Sequence, residues 1–199
     1  MPLGDSITAG VGSSTGGGYR LPLWQELAGR GMQVDFVGSE RGGGFEDPDH
    51  EGHSGYMIDQ IRARIDGWLG QAQPDVVLLH LGINDLDRGE RPGAADRLVA
   101  LIDRIERDQP GITVIVQGLI PTTGGLEGEA ITFNAMVRSE VDSHGFRWVE
   151  PPALQGGEMA DRLHPNDLGY QRMAEAFVRS LDASLEPSPA RRCPWTTSS

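Results

Sequence analysis

Apolar positions along the chain alternate between two periods. Leu21, Trp24, Leu27 and Ala28 recur at helical spacing, and Gly29 and Gly31 follow as stop signals. Residues 34–37 form a short β-branched run that predicts a strand. Ile58, Ile61, Ile65, Trp68 and Leu69 make a second helical stripe. Residues 75–81 (DVVLLHL) are almost continuously apolar, as a parallel strand buried on both faces would be. Ala95, Leu98, Val99, Ile102 and Ile105 predict a third helix ahead of Pro110-Gly111, and residues 113–116 a further strand. Ala130, Phe133, Val137 and Val141 predict a fourth helix, and residues 146–149 a last short strand. Asn166 is placed to cap a final helix carrying Tyr170, Met173, Ala174, Phe177 and Leu181.

This alternation predicts an α/β fold, a parallel sheet covered by helices on both faces. With a first strand at residues 1–3 the sheet has five strands. In such sheets ligands bind beyond the carboxyl ends of the strands. Residues 4–18, 39–55, 82–91, 119–128 and 150–166 therefore carry the chemistry, and several of these segments exceed ordinary connection lengths. Residues 1–185 read as one domain. Residues 186–199, rich in Pro, Ser and Arg without an apolar period, are expected to be disordered. Only Met1, Pro2 and Leu3 precede the Gly4-Asp5-Ser6 turn, short for a central strand, so the native chain is expected to extend upstream or to have been trimmed.

Composition narrows the partners. Formal net charge is -12, from 29 acidic and 17 basic residues, which argues against a nucleic-acid partner and mildly disfavours anionic substrates. No apolar run is long enough to span a bilayer, so no membrane partner is expected. The single cysteine, Cys193, permits no intramolecular disulfide and does not settle the redox compartment. The chain begins without a basic-then-apolar leader, which leaves a cytoplasmic protein or one whose signal peptide lies outside this chain. Oligomeric state is not legible. Gly16-Gly17-Gly18 and Gly42-Gly43-Gly44 are not followed by Gly-Lys-Ser/Thr and are not phosphate loops.

Ser6, in Gly4-Asp5-Ser6-Ile7-Thr8, is the candidate nucleophile. A serine hydroxyl attacks only when an imidazole takes its proton and a carboxylate orients that imidazole. Asp161-Arg162-Leu163-His164 supplies both on the last strand-to-helix connection; the offset of three lets Asp161 reach Nδ1 of His164 while Nε2 faces Ser6. A tetrahedral oxyanion needs preset donors, each contributing roughly 3 kcal/mol. The Asn84 amide after the most apolar strand, the Gly55 N–H and the Ser6 N–H are the candidates. Plainer readings exist for each: Gly-Asp-Ser turns are common, Asn84 and Asp85 suit Asx turns, Gly55 suits a tight turn, and Asp161 could be a surface carboxylate beside a Ser-His dyad. His50 and His53 compete with His164, while His80 falls in a strand and His144 at a helix end. His50, Glu51 and His53 lack the regular three-ligand spacing of a catalytic zinc site, so no metal is expected and loop-ordering hydrogen bonds are the better role. Tyr19 and Arg20 open the first helix.

Gly4-Asp5-Ser6, Gly55, Gly82-x-Asn84 and Asp161-x-x-His164 together resemble, in order, the four blocks of the SGNH (GDSL-type) hydrolase superfamily. The resemblance runs from Leu3 to about Leu181. It implies a three-layer α/β/α sandwich with a flavodoxin-like sheet. It also implies a serine esterase with catalytic Ser6, Asp161 and His164, an oxyanion hole of Ser6, Gly55 and Asn84, and neither metal nor cofactor. Residues 1–8, 18–20, 35–39, 49–55 and 82–85 resemble family 3 carbohydrate esterases, which include acetyl xylan esterases. That closer resemblance implies a small-molecule or saccharide ester as substrate, and secretion, although the chain shows no signal peptide. The Gly-rich, polar loops at the predicted site favour short acyl groups. A lipase, thioesterase or acyltransferase of the same fold is the alternative, and a silent carbohydrate-binding module the non-enzymatic one.

Overall fold

The computed structural model describes residues 1–144 and 146–185; the tail expected to be disordered, with Cys193, lies outside the described residues. The chain runs β1 (Pro2–Gly4), α1 (Ser6–Ala9), α2 (Arg20–Gly29), β2 (Glu40–Arg41), β3 (Asp49–Gly52), α3 (Ile58–Arg62) and α4 (Ile65–Ala72). It continues through β4 (Val76–His80), α5 (Ile83–Asp87), α6 (Ala94–Asp108), β5 (Thr113–Gln117), α7 (Glu127–His144), β6 (Arg147–Val149) and α8 (Asp167–Leu185). The strands form one sheet in the order β2-β3-β1-β4-β5-β6. All neighbours are parallel except the edge pair β2 and β3. Helix α2 packs on α8, while α3 and α4 pack on α6, and α6 on α7. Leu3, Val77, Leu79 and Ile115 are fully buried between these helical layers. The three-layer α/β/α architecture is as expected.

Two expectations need correction. The sheet has six strands rather than five, and residues 34–37 are not one of them. The parallel neighbour of β1 is instead β3, whose sequence Asp-His-Glu-Gly carries no apolar signal. Asp49 is half-buried, whereas the His50 and Glu51 side chains are buried and each finds a partner. Glu51 accepts from the Ser39 N–H at 2.8 Å and the Ser39 hydroxyl at 2.7 Å, and Nδ1 of His50 accepts from the Gly52 N–H at 3.0 Å. Phe36 still enters the core, but its N–H donates to the Asp47 carboxylate at 2.7 Å rather than to a ladder. The second helical stripe is likewise two helices, broken between Arg62 and Ile65, with Ile58, Ile61, Ile65 and Leu69 buried as expected. In α2 the buried face runs through Arg20, Leu23 and Leu27, leaving Ala28 exposed.

Sheet order reverses at β1, from which the chain first passes outward to β3 and then back across to β4. The crevice of such a sheet opens at that reversal, beyond the carboxyl ends of β1 and β4. Gly4 closes β1 where no side chain fits: a Cβ there would lie 2.2 Å from the His80 carbonyl and 2.5 Å from the Thr8 hydroxyl. The chain then turns at once into α1, with the Asp5 carboxylate accepting from the Ile7 N–H at 3.0 Å as N-cap.

A helix of four residues does not hold itself. Arg20, fully buried, does much of the holding. Its guanidinium donates to the carbonyls of Thr8, Ala9, Gly16, Gly42 and Pro48 at 2.9–3.3 Å. Burial lowers its pKa to about 10, so it remains a cation at neutral pH. Replacing Arg20 by Met strands five carbonyls in the interior. Arg20→Met should lower unfolding free energy by at least about 3 kcal/mol in urea titrations. Arg20→Lys should recover little, since one ammonium cannot reach the same fork of acceptors. A loss below about 1 kcal/mol would show that solvent replaces the guanidinium.

Candidate active site

Ser6 starts α1 at the carboxyl end of β1 and is nearly buried. Its Oγ lies 2.9 Å from Nε2 of His164. Nδ1 of His164 lies 2.8 Å from Oδ2 of Asp161. The other carboxylate oxygen of Asp161 accepts from the N–H groups of Leu163 and His164, both at 2.8 Å. Burial works to raise the Asp161 pKa, but these N–H donors and the imidazole outweigh it and hold the carboxyl below the usual range. The segment is a tight hairpin. The N–H groups of Ala160 and Asp161 donate to the His164 carbonyl, and Met159 bridges Pro165. Asn166 then caps α8, accepting from the Leu168 and Gly169 N–H groups at 3.0 and 3.2 Å. The three side chains named from the sequence thus form one continuous hydrogen-bonded chain, although Ser6 and His164 are 158 positions apart.

The three expected donors also lie beside this crevice. Asn84 sits in the first turn of α5, a short helix inside a segment expected to be a loop, and is buried. Its amide donates one N–H to the Tyr56 carbonyl at 3.0 Å, which fixes the plane and leaves its second N–H. Gly55, the neighbour of Tyr56, has φ +80°, a left-handed conformation that disfavours any side chain. The His53 N–H donates to the Gly4 carbonyl at 2.9 Å and so fastens the Gly55 turn to β1. Among the described residues, the N–H groups of Ser6 and Gly55 have no acceptor.

The competing histidines are occupied otherwise. Burial, then Arg20, pushes the His50 pKa down to about 3, and its Nδ1 already accepts from Gly52. His53 bonds Glu51 and stacks between Tyr56 and Trp68, with ring centroids 4.9 and 4.5 Å away. His80 is fully buried in β4 and its pKa is pushed down to about 4 by burial. His144 is exposed on the last turn of α7. Among the described residues no group of three His, Cys, Asp or Glu side chains is arranged to hold a metal.

Two acidic residues contribute more than the sequence discloses. Asp85 is buried and spans three helices, accepting from the Ile58 N–H of α3 at 3.0 Å and from Arg97 of α6 at 2.9 Å. Asp5 is fully buried beside Ser6. Only its position in the Gly-Asp-Ser triplet marked it, and a turn side chain was the natural reading. Burial raises its pKa to about 7, opposed by the Ile7 N–H and His164 and reinforced by Asp85.

Fold and comparisons together define a class: an α/β/α hydrolase fold with its candidate site at a sheet reversal. The profile of the GDSL-like Lipase/Acylhydrolase family matches residues 3–172, and the chain belongs to that family. It is similar to a multidomain esterase of Ruminococcus flavefaciens, 28% identical over 226 residues; the match covers 94% of this chain but only 29% of that protein's length. A family 3 carbohydrate esterase of Clostridium thermocellum superposes with a TM-score of 0.85 at 32% identity, covering 92% of this chain and 94% of that one. An acetyl esterase mutant crystallised with acetate ion superposes with a TM-score of 0.80 at 26% identity, covering 92% and 96% of the two chains.

The raised Asp5 pKa sets a direction of pH dependence. An unfolded aspartate releases its proton near pH 4, whereas the folded one keeps it to about pH 7. Across that window the native state holds the extra proton, so stability falls as pH rises from about 4 to about 7 and this contribution is flat above. Asp5→Asn should remove it. The stability difference between wild type and variant, from denaturant titrations at stepped pH, should change by up to about 1.4 kcal/mol per pH unit in the window. Parallel curves would mean that Asp5 ionises normally.

Proposed function

We propose that this chain is a serine esterase that removes acetyl groups from acetylated carbohydrates through a covalent acyl-enzyme. The observation that carries the reading is the unbroken Ser6–His164–Asp161 hydrogen-bonded chain. In this mechanism Ser6 Oγ attacks the ester carbonyl carbon while Nε2 of His164 takes its proton. Asp161 keeps the imidazole in the tautomer with hydrogen on Nδ1 and stabilises the imidazolium. The developing oxyanion receives the Ser6 and Gly55 N–H groups and the second N–H of Asn84. Collapse of the intermediate breaks the bond to the alcohol, which leaves with the proton from His164. Water then attacks the acyl-serine, His164 accepts its proton, and acetate is released with Ser6 regenerated. No step calls for a metal or cofactor.

The names of the similar proteins support the substrate class, since one is a carbohydrate esterase and another an acetyl esterase solved with acetate. The loops around the site add a physical reason. Residues 13–18 and 40–55 are polar and Gly-rich, whereas a long acyl chain needs a continuous apolar groove at about 0.8 kcal/mol per buried CH₂.

Ser6→Ala and His164→Ala should each fold and lose nearly all esterase activity. The residue left over should be about 10³–10⁴ over water, and the double variant little worse than either single, because the pair acts as a unit. Steady-state hydrolysis of p-nitrophenyl acetate checks this; activity within about tenfold of wild type for either variant would remove that residue from the mechanism.

A panel of p-nitrophenyl esters beside acetylated xylan tests the substrate. Acetyl esters should give the highest kcat/KM, falling beyond butyryl, and the xylan should release acetate. Best turnover of octanoyl or longer esters, with no acetylated saccharide attacked, would leave the lipase-like reading instead.

A further inference from the structure

Arg88 follows α5 directly, one turn beyond Asn84, and its N–H donates to the Asn84 carbonyl at 3.1 Å. Positions four apart share one face of a helix. The Arg88 guanidinium accordingly lies over the Gly55 turn, where a Cβ would stand 3.0 Å from its Nη2. It therefore stands at the Gly55–Asn84 edge that the proposed mechanism uses for the oxyanion.

Among the described residues the guanidinium has no contact counter-ion, and Asp87 acts on it only through space. Its natural counter-ion is the adjacent Asp87, but Arg162 takes both oxygens of that carboxylate, at 2.7 and 2.8 Å. The Arg88 side chain is exposed and makes no hydrogen bond or contact ion pair with any described residue. Its neighbours along the chain differ, since Arg91 pairs with Glu129 and Arg97 with Asp85. In a chain of net charge -12, carboxylates are plentiful, yet the guanidinium at the rim of the site is left open. The overall negative charge acts at a distance and is screened over about 8 Å at physiological ionic strength. A contact pair at the rim is governed by the local group instead.

A guanidinium fork matches a planar carboxylate with two parallel hydrogen bonds. We infer that Arg88 forms a subsite for a carboxylate carried on the acetylated saccharide, as on a uronic acid unit beside the ester. The inference rests on the esterase reading and narrows its substrate to acidic acetylated saccharides.

The test compares acetylated xylo-oligosaccharides with and without a glucuronic acid substituent. Acetate release is followed for wild type, Arg88→Gln, Arg88→Lys and Arg107→Gln. Arg107 lies in the last turn of α6, a helix of 15 residues leading away from the site, and serves as a charge control. Binding of the same two oligosaccharides is measured by titration calorimetry in a Ser6→Ala background, with and without Arg88→Gln. Wild type should prefer the acidic substrate by about tenfold in kcat/KM at low salt, a preference that shrinks as salt rises. The ratio should fall to about one in Arg88→Gln, persist in part in Arg88→Lys and stay unchanged in Arg107→Gln. Equal kcat/KM for the two substrates in wild type, or an equal loss on both in Arg88→Gln, would overturn the subsite while leaving the esterase standing. Absence of acetate release, with an Arg88-dependent binding preference retained in the Ser6→Ala background, would overturn the esterase reading and keep the subsite.

Discussion

The buried Arg20 guanidinium is the interaction on which the site's geometry rests. Its five acceptors come from three separate stretches: the end of α1, the turn at Gly16, and the segment around β2 and β3. Among the described residues no carboxylate forms an ion pair with it, and Asp47 and Asp49 act on it only through space. The carbonyl dipoles of Thr8 and Ala9 at the end of α1 offset part of its charge, as they do for cations at helix C-termini. The face of Phe45 lies 5.7 Å from the guanidinium carbon. A helix as short as α1 could swing about Gly4 or Gly10; the cation fastens its far end. Thr8 also meets the Tyr19 hydroxyl at 3.2 Å, and the Tyr170 hydroxyl donates to the Val11 carbonyl. Helices α2 and α8 thereby clamp the same loop.

The crevice is assembled from segments that share no local sequence. Strand β1 delivers Ser6, the turn after β3 delivers Gly55, α5 after β4 delivers Asn84, and the hairpin after β6 delivers Asp161 and His164. Parallel strands make this convergence automatic, because every carboxyl end faces the same way. What remains is relative placement to a few tenths of an ångström, which specific ties supply. The Asn84 amide bonds Tyr56, Asp85 bonds Ile58, and the His53 N–H bonds Gly4. The Asp87–Arg162 pair joins the α5 segment directly to the hairpin that carries His164. Each tie crosses between two segments that supply a candidate site residue, or between a segment and its support.

Burial sorts the titratable groups near the site by role. His50 and His80 are driven toward neutrality and do structural work, one as an acceptor for a backbone N–H and the other inside the sheet. Asp5 is pushed toward its protonated form next to Ser6. Asp161, half-exposed and surrounded by N–H donors, is the carboxyl held as an anion, as an orienting partner for an imidazole must be.

Sequence by itself determined the layered α/β architecture, because apolar periodicity is a local property and DVVLLHL is a buried strand in almost any context. It also singled out Ser6, Asp161, His164, Asn84 and Gly55, because each lies in a short motif on the expected carboxyl side of the sheet. Local pattern failed where burial depends on a distant partner. β3 reads as a polar loop, yet Glu51 goes inside because Ser39 and His53 satisfy it. Residues 34–37 read as a strand, yet the Phe36 N–H finds Asp47 instead of a ladder. Whether Arg20 opens a helix or anchors a site, and whether Arg88 is paired or free, depends on which carbonyls and carboxylates the fold brings near. Only the tertiary structure decided those points, since a hydrogen bond to a residue dozens of positions away leaves no trace in the spacing around its donor.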